Sequence, residues 1–102
     1  MKMKNADILL ALEEIAANIG IELRYEKGDF EGGLCRVDQE QLIIINTNLL
    51  TQRKITLLAR ELSTVNLDDV FIVPAIRNII ETERNKLNEE IKTQDRKERE
   101  HE

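Results

Sequence analysis

Aromatic residues are the scarcest large side chains in this chain of 102 residues. They make up 3% of it, as Tyr25, Phe30 and Phe71, and tryptophan is absent. The core must therefore be built from the Ile, Leu and Val side chains that dominate the 41% hydrophobic content. A small aliphatic core is expected to be marginally stable. Marginal stability favours association with a second copy, so we expect a homodimer.

Cysteine and histidine each occur once, as Cys35 and His101. A single cysteine excludes a disulfide within these residues. Cys35 has no histidine near it in sequence to activate the thiol, so we expect a buried, small hydrophobic residue on a short strand and not a nucleophile. With one histidine, in the charged C-terminal part, the sequence predicts no metal site and no cofactor.

Basic residues are outnumbered, with 15 Lys and Arg against 20 Asp and Glu and a net charge of −5. The Lys and Arg are scattered among the acids, which argues against a nucleic-acid or anionic-membrane surface. No apolar run approaches the roughly 20 residues of a membrane span. The opening "MKMKNADILLALEEIAANIG" superficially resembles a signal peptide, but Asp7, Glu13 and Glu14 interrupt it and no small-x-small cleavage site follows. We therefore expect a cytoplasmic protein.

The hydrophobic periodicity predicts an α+β fold in the order α-β-β-β-α-α. Apolar residues at helical spacing predict a first helix in "NADILLALEEIAANIG", with Asn5 as its N-cap and Gly20 at its C-terminal end, and alternation in "IELRYE" then predicts a strand. "KGDFEGG" reads as a hairpin turn, "LCRV" as a second strand and "LIIIN" as a strand buried on both faces. "NTNLLTQRK" leads into a second helix, with Thr51 as a possible N-cap and an apolar stripe of Ile55, Leu58, Leu62 and Val65, and Pro74 fits the first position of a third helix. The expected sheet is three-stranded and mainly antiparallel.

The apolar side of the third helix thins out towards its end. From Glu81 onward the residues are mostly Glu, Lys, Arg, Asn and Gln. The sequence therefore predicts one α+β domain over residues 1–80 and a charged helical extension over 81–102, helical to about Ile91 and frayed at the end.

Three segments resemble the minimal zincin core of the ImmA/IrrE metallopeptidase family. They are "NIGIEL" (18–23), "IIINTNLL" (43–50) and "ITLLARELSTV" (55–65), and together they cover roughly residues 6–65. In that family a strand leads to a helix with a His-Glu-x-x-His motif. The resemblance implies a three-stranded sheet with the motif helix lying across it.

The residues that would bind zinc are missing from this motif. Arg60 and Thr64 stand in the two histidine positions around Glu61. A guanidinium has no free lone pair and a threonine hydroxyl is a poor zinc ligand, so Asp68 or Asp69 alone could not complete a site. The resemblance therefore implies a degenerate zincin without metal chemistry. The alternative is an ordinary amphipathic helix whose Arg60 and Glu61 are simply solvated.

The segment "VFIV" (70–73) is too apolar for an exposed loop, so we expect it in the core or against a partner. Further along, Ile80, Leu87 and Ile91 fall on one side of the third helix. The sequence therefore predicts an interface made by Phe71, Ile72, Ile80, Leu87 and Ile91.

Three functional hypotheses follow. The first is a non-catalytic interaction or structural protein, self-associated through these apolar residues. The second is a hydrolase that uses Cys35 or carboxylates such as Glu61 with Asp68 and Asp69. The third is an accessory protein that binds a partner through its charged C-terminal helix.

Overall fold

The computed structural model describes the backbone of residues 3–100 and the side chains of residues 3–93. Within these residues the elements are α1 (Asn5–Asn18), β1 (Glu22–Glu26), β2 (Gly32–Val37), β3 (Glu40–Asn46), α2 (Thr51–Leu62) and α3 (Pro74–Glu100). The α+β class and the α-β-β-β-α-α order predicted from the sequence are confirmed.

The third helix is longer than predicted. It begins at Pro74, as expected, but continues to Glu100 and so passes the limit predicted near Ile91. The domain boundary predicted at residue 80 lies inside this continuous helix. His101 lies outside the described residues.

The sheet is mixed and not mainly antiparallel. Its strand order is β1-β3-β2, with β1 parallel and β2 antiparallel to β3. The predicted hairpin between β1 and β2 is therefore wrong, because β3 lies between them. β3 carries the unbroken apolar run, and a central strand buries such a run better than an edge strand does.

A tight turn joins β2 to β3, as the polar "DQEQ" segment suggests. Asp38 and Gln39 have φ angles of 49° and 72°, so both lie in the left-handed region. Two such residues match the right-handed twist of the flanking strands. The turn sets the register in which Leu34 lies opposite Ile43.

The core lies between one face of the sheet and the helices. Ile43 and Ile45 of β3 are fully buried, together with Leu58 and Leu62 of α2. The buried apolar cluster comprises Leu12, Ile15, Ala16, Ile21, Ile43, Ile45, Ile55, Leu58, Ala59, Leu62, Leu67, Ile72, Ile76 and Ile80. It contains no aromatic side chain, as the composition predicts.

Arg84 joins α3 to the C-terminal end of α2. Its Nε donates to the backbone carbonyl of Ser63 at 3.1 Å, and its Nη1 lies 2.5 Å from Glu81 Oε1. A cation at a helix C-terminus interacts favourably with the helix dipole. This contact helps to fix where α3 lies beside α2.

Asn46, at the end of β3, secures the connection between β1 and β2. Its side-chain amide donates to the carbonyl oxygens of Gly28 (2.7 Å) and Phe30 (2.6 Å), and its Oδ1 accepts from the Asn48 N–H (3.0 Å). Asn46 is buried. An amide supplies two donors and an acceptor in one side chain, which a carboxylate cannot do.

We expect Asn46→Asp to destabilise the fold by about 2 kcal/mol or more, because the carbonyls of Gly28 and Phe30 lose their donors and face a carboxylate at a buried position. Urea denaturation at neutral pH measures this cost. Asn48→Asp is the matched control: Asn48 is exposed, so its substitution should change stability by less than about 0.5 kcal/mol. Equal losses for the two variants would show that the Asn46 hydrogen bonds contribute little.

Candidate functional site

A cleft of about 180 Å³ lies between the start of β2 and α2. Arg60 and Glu61 both line it, so the structure brings two of the three motif residues together. Thr64 lies beyond the end of α2, where its hydroxyl donates to the Glu61 carbonyl at 2.7 Å. The remaining lining residues are Glu31, Gly32, Leu49, Arg53, Thr56 and Leu57.

Both arginines that line this cleft form ion pairs. Arg53 Nη2 lies 2.5 Å from Glu31 Oε1, and Arg60 Nη2 lies 2.5 Å from Glu90 Oε2. These side chains are 40–62% exposed, so each pair contributes at most about 1 kcal/mol to stability. The Arg60 pair connects α2 to the distal part of α3. The first histidine position of the motif therefore holds a cation engaged with a carboxylate.

The acidic residues give no sign of a metal centre. Asp68 and Asp69 are exposed in the segment between α2 and α3. In the part of the chain that the structure describes, no three His, Cys, Asp or Glu side chains come close enough together to hold a metal ion.

The predicted interface residues separate into two groups. Ile72 and Ile80 are only 5% and 2% exposed, because they pack into the core. Including them in an intermolecular surface was wrong. Phe71 is 88% exposed and Ile91 50%, while Leu87 is partly buried. The predicted stripe on α3 is thus reduced to Leu87 and Ile91.

Cys35 is exposed, not buried as predicted. Cys35 lies on β2, which is an edge strand. Its neighbour Leu34 packs towards the core, so Cys35 lies on the opposite face of the strand. A shallow apolar groove of about 450 Å³ runs beside it. Its lining residues are Glu26, Phe30, Glu31, Gly32, Gly33, Leu34, Cys35 and Ile44, and they include no histidine or lysine that could activate the thiol.

A second polar cluster, which sequence reasoning missed, joins α1, β1 and α2. The Tyr25 hydroxyl donates to Glu13 Oε2, and Lys54 Nζ lies 5.6 Å from the centre of the Tyr25 ring. Partial burial, the hydrogen bond to Glu13 and the negative charge of Glu13 all raise the pKa of Tyr25. These residues are 12 or more positions apart, and no sequence signal brings them together. None of these three residues lines either of the clefts described above.

No protein-family profile, curated protein or solved structure matches this chain. The resemblance to the ImmA/IrrE family therefore depends on the three quoted segments alone. Among the described residues, no helix is both long enough and apolar enough to cross a bilayer.

The chain has one tyrosine and no tryptophan, so phenolate absorbance reports Tyr25 alone. We expect the folded protein to ionise well above pH 10, the ordinary tyrosine value, and the urea-unfolded protein close to it. The raised pKa means that Tyr25 stabilises the fold below about pH 10 and that this contribution is lost as the pH rises further. Glu13→Gln should lower the folded midpoint by removing the charge but not the burial. Identical midpoints for folded and unfolded protein would contradict the observed contact.

We expect untagged protein to retain far less than one zinc ion per chain after incubation with Zn²⁺ and dialysis, because Arg60 and Thr64 replace both imidazoles. Elemental analysis measures the content, with a structural zinc protein dialysed in parallel as the control. About one tightly held zinc per chain would contradict the degenerate reading of the motif.

Proposed function

We propose that the protein is a non-catalytic interaction module with a degenerate zincin-like core, and that it works as a homodimer. The observation that carries this proposal is the Arg60–Glu90 ion pair at the cleft. A zincin requires a metal ligand at that position, and a guanidinium has no free lone pair with which to bind Zn²⁺. The pair instead links two helices, which is a structural role.

Exposed apolar side chains support an interaction function. Phe71 is 88% exposed, Leu50 77% and Val37 54%, in a chain whose core contains no aromatic residue. Scattered exposed apolar residues are common, but a fully exposed phenylalanine is a poor use of a rare residue unless a partner covers it.

The hydrolase alternative has less support from the geometry. A thiol nucleophile needs a base within hydrogen-bond reach, and the groove beside Cys35 contains only carboxylates as titratable neighbours. The predicted carboxylates do not share a site, because Glu61 lines the α2 cleft whereas Asp68 and Asp69 are exposed outside it. The third hypothesis, partner binding by α3, is compatible with the module proposed here, since residues 88–93 of α3 are exposed.

Sedimentation equilibrium tests the proposal. We expect the chain of 102 residues to be a dimer at tens of micromolar and to dissociate on dilution. A monomer that persists to hundreds of micromolar would remove self-association from the proposal. The same preparation should hydrolyse peptide and ester substrates no faster than a Glu61→Gln variant does, because Glu61 has no catalytic role in this proposal.

A further inference from the structure

β2 has one free edge among the described residues. It pairs with β3 on one side only. The Asn46 N–H donates to the Glu31 carbonyl at 3.0 Å, so odd-numbered positions along β2 bond to β3. In an antiparallel ladder the alternate positions then direct their N–H and C=O groups outward. Gly32, Leu34 and Arg36 therefore present unpaired backbone groups at this edge.

The opposite edge of the sheet is protected and β2 is not. β1 exposes Glu22, Arg24 and Glu26 along one face, and alternating charge of this kind discourages strand pairing. β2 contains no lysine or proline, and its one charged residue is Arg36. The apolar groove beside Cys35 lies across the sheet near this edge, since Glu26 of β1 and Ile44 of β3 line it together with β2 and the exposed Phe30.

Glu61 and Arg36 carry opposite charges near this edge, and neither forms an ion pair within the described part of the chain. Glu61 on α2 reaches β2: its Oε1 would lie 3.9 Å from a Cβ placed on Gly33. Among the described residues, no cation lies within ion-pair distance of Glu61 and no carboxylate within that distance of Arg36. Arg36 shares the strand face of Leu34, which packs towards the helices, so Arg36 and Glu61 lie on the same side of the sheet.

We propose that a second copy of the chain pairs antiparallel with the β2 edge about a two-fold axis at Leu34, with Arg36 of each copy bound to the partner's Glu61. This inference rests on the proposed homodimer and identifies its surface. The register places Leu34 opposite the partner's Leu34 and Arg36 opposite the partner's Gly32, about 5.5 Å apart at Cα. Gly32 and Gly33 carry no side chains there, so the guanidinium has room to reach the carboxylate beside them.

The two-fold axis makes the contact self-complementary. In this register the backbone groups of residues 32, 34 and 36 all have hydrogen-bond partners in the other copy. Residue 32 pairs with the partner's residue 36, and residue 34 pairs with the partner's residue 34. The Arg36–Glu61 contact is therefore made twice in each dimer, once on each side of the axis. Pairing one residue out of register would turn Leu34 and Arg36 to the opposite face of the joined sheet. A second copy therefore fits the edge in hydrogen bonding, in charge and in apolar alternation.

Charge reversal tests the contact. We expect Arg36→Glu and Glu61→Arg each to raise the dimer dissociation constant at least about tenfold, since each places like charges together twice. An equimolar mixture of the two variants should form a heterodimer with near wild-type affinity, because both contacts are then restored. Sedimentation equilibrium gives the constants, and circular dichroism checks that each variant is folded.

Ile91→Asp is the comparison variant, since Ile91 is 50% exposed on α3, belongs to the apolar interface predicted from the sequence, and makes no contact in the proposed β2 pairing. It should leave the dissociation constant unchanged. In the proposed register Cys35 lies diagonally across from the partner's Cys35, about 7–8 Å away. A short bismaleimide should therefore cross-link wild-type dimers through this sole, exposed cysteine.

A dimer that tolerates Arg36→Glu, or that Ile91→Asp dissociates, would overturn this surface while leaving self-association intact. Failure of the mixed variants to associate, with each one folded, would likewise overturn the Arg36–Glu61 contact. A wild-type protein that is monomeric at hundreds of micromolar would instead remove the homodimer on which the inference rests.

Discussion

The fold depends on β3, which is the central strand of the three described and is hydrogen-bonded along both edges. Its apolar run supplies Ile43 and Ile45, which are fully buried, and Asn46, which secures the β1–β2 connection from its end. β1 contributes mainly charged or half-exposed side chains and β2 has two glycines, so neither could hold the sheet together by itself. α2 packs against β3, and residues of α2 line the candidate cleft. The position of the cleft therefore depends on β3.

The position of β3 also explains what sequence reasoning could and could not predict. The periods of 3.6 and 2 identify each element, and Pro74 marks the start of α3 to the residue. Strand pairing is a different question, since alternation in β1 is equally compatible with pairing to β2 or to β3. The apolar run in "LIIIN" was the signal for a central strand, and a central third strand requires the β1–β2 connection to pass over to the far side of the sheet. Short connections made the hairpin the simpler but incorrect prediction.

The candidate site could likewise be predicted from the sequence only in part. Arg60 and Glu61 are adjacent in the helix, so their common location in the cleft follows from the sequence. The Arg60–Glu90 pair does not, because it depends on the angle at which α3 packs beside α2. Ile72 and Ile80 were assigned to a surface because apolar periodicity shows that a face is covered, but not whether the cover is the chain's own core or a partner. Cys35 shows the reverse error: the sequence predicts a buried residue, but Cys35 lies on the face of β2 opposite to the core-facing Leu34 and is exposed.

The two adjacent glycines of β2 connect the fold to the proposed interface. Gly32 has a φ of 130°, and a Cβ there would lie 2.0 Å from the Ile44 carbonyl oxygen, so only glycine lets β2 approach β3 this closely. The same absence of side chains leaves Glu61 beside bare backbone at the sheet edge, with space for a long basic side chain. A requirement of strand pairing within one chain thus creates the space that pairing between chains would use. In a zincin the glutamate at this helix position acts on a metal-bound water. Here, with Arg60 engaged by Glu90, the chemistry left to Glu61 is that of a carboxylate beside a strand edge, and a guanidinium from a second copy is the group best suited to meet it.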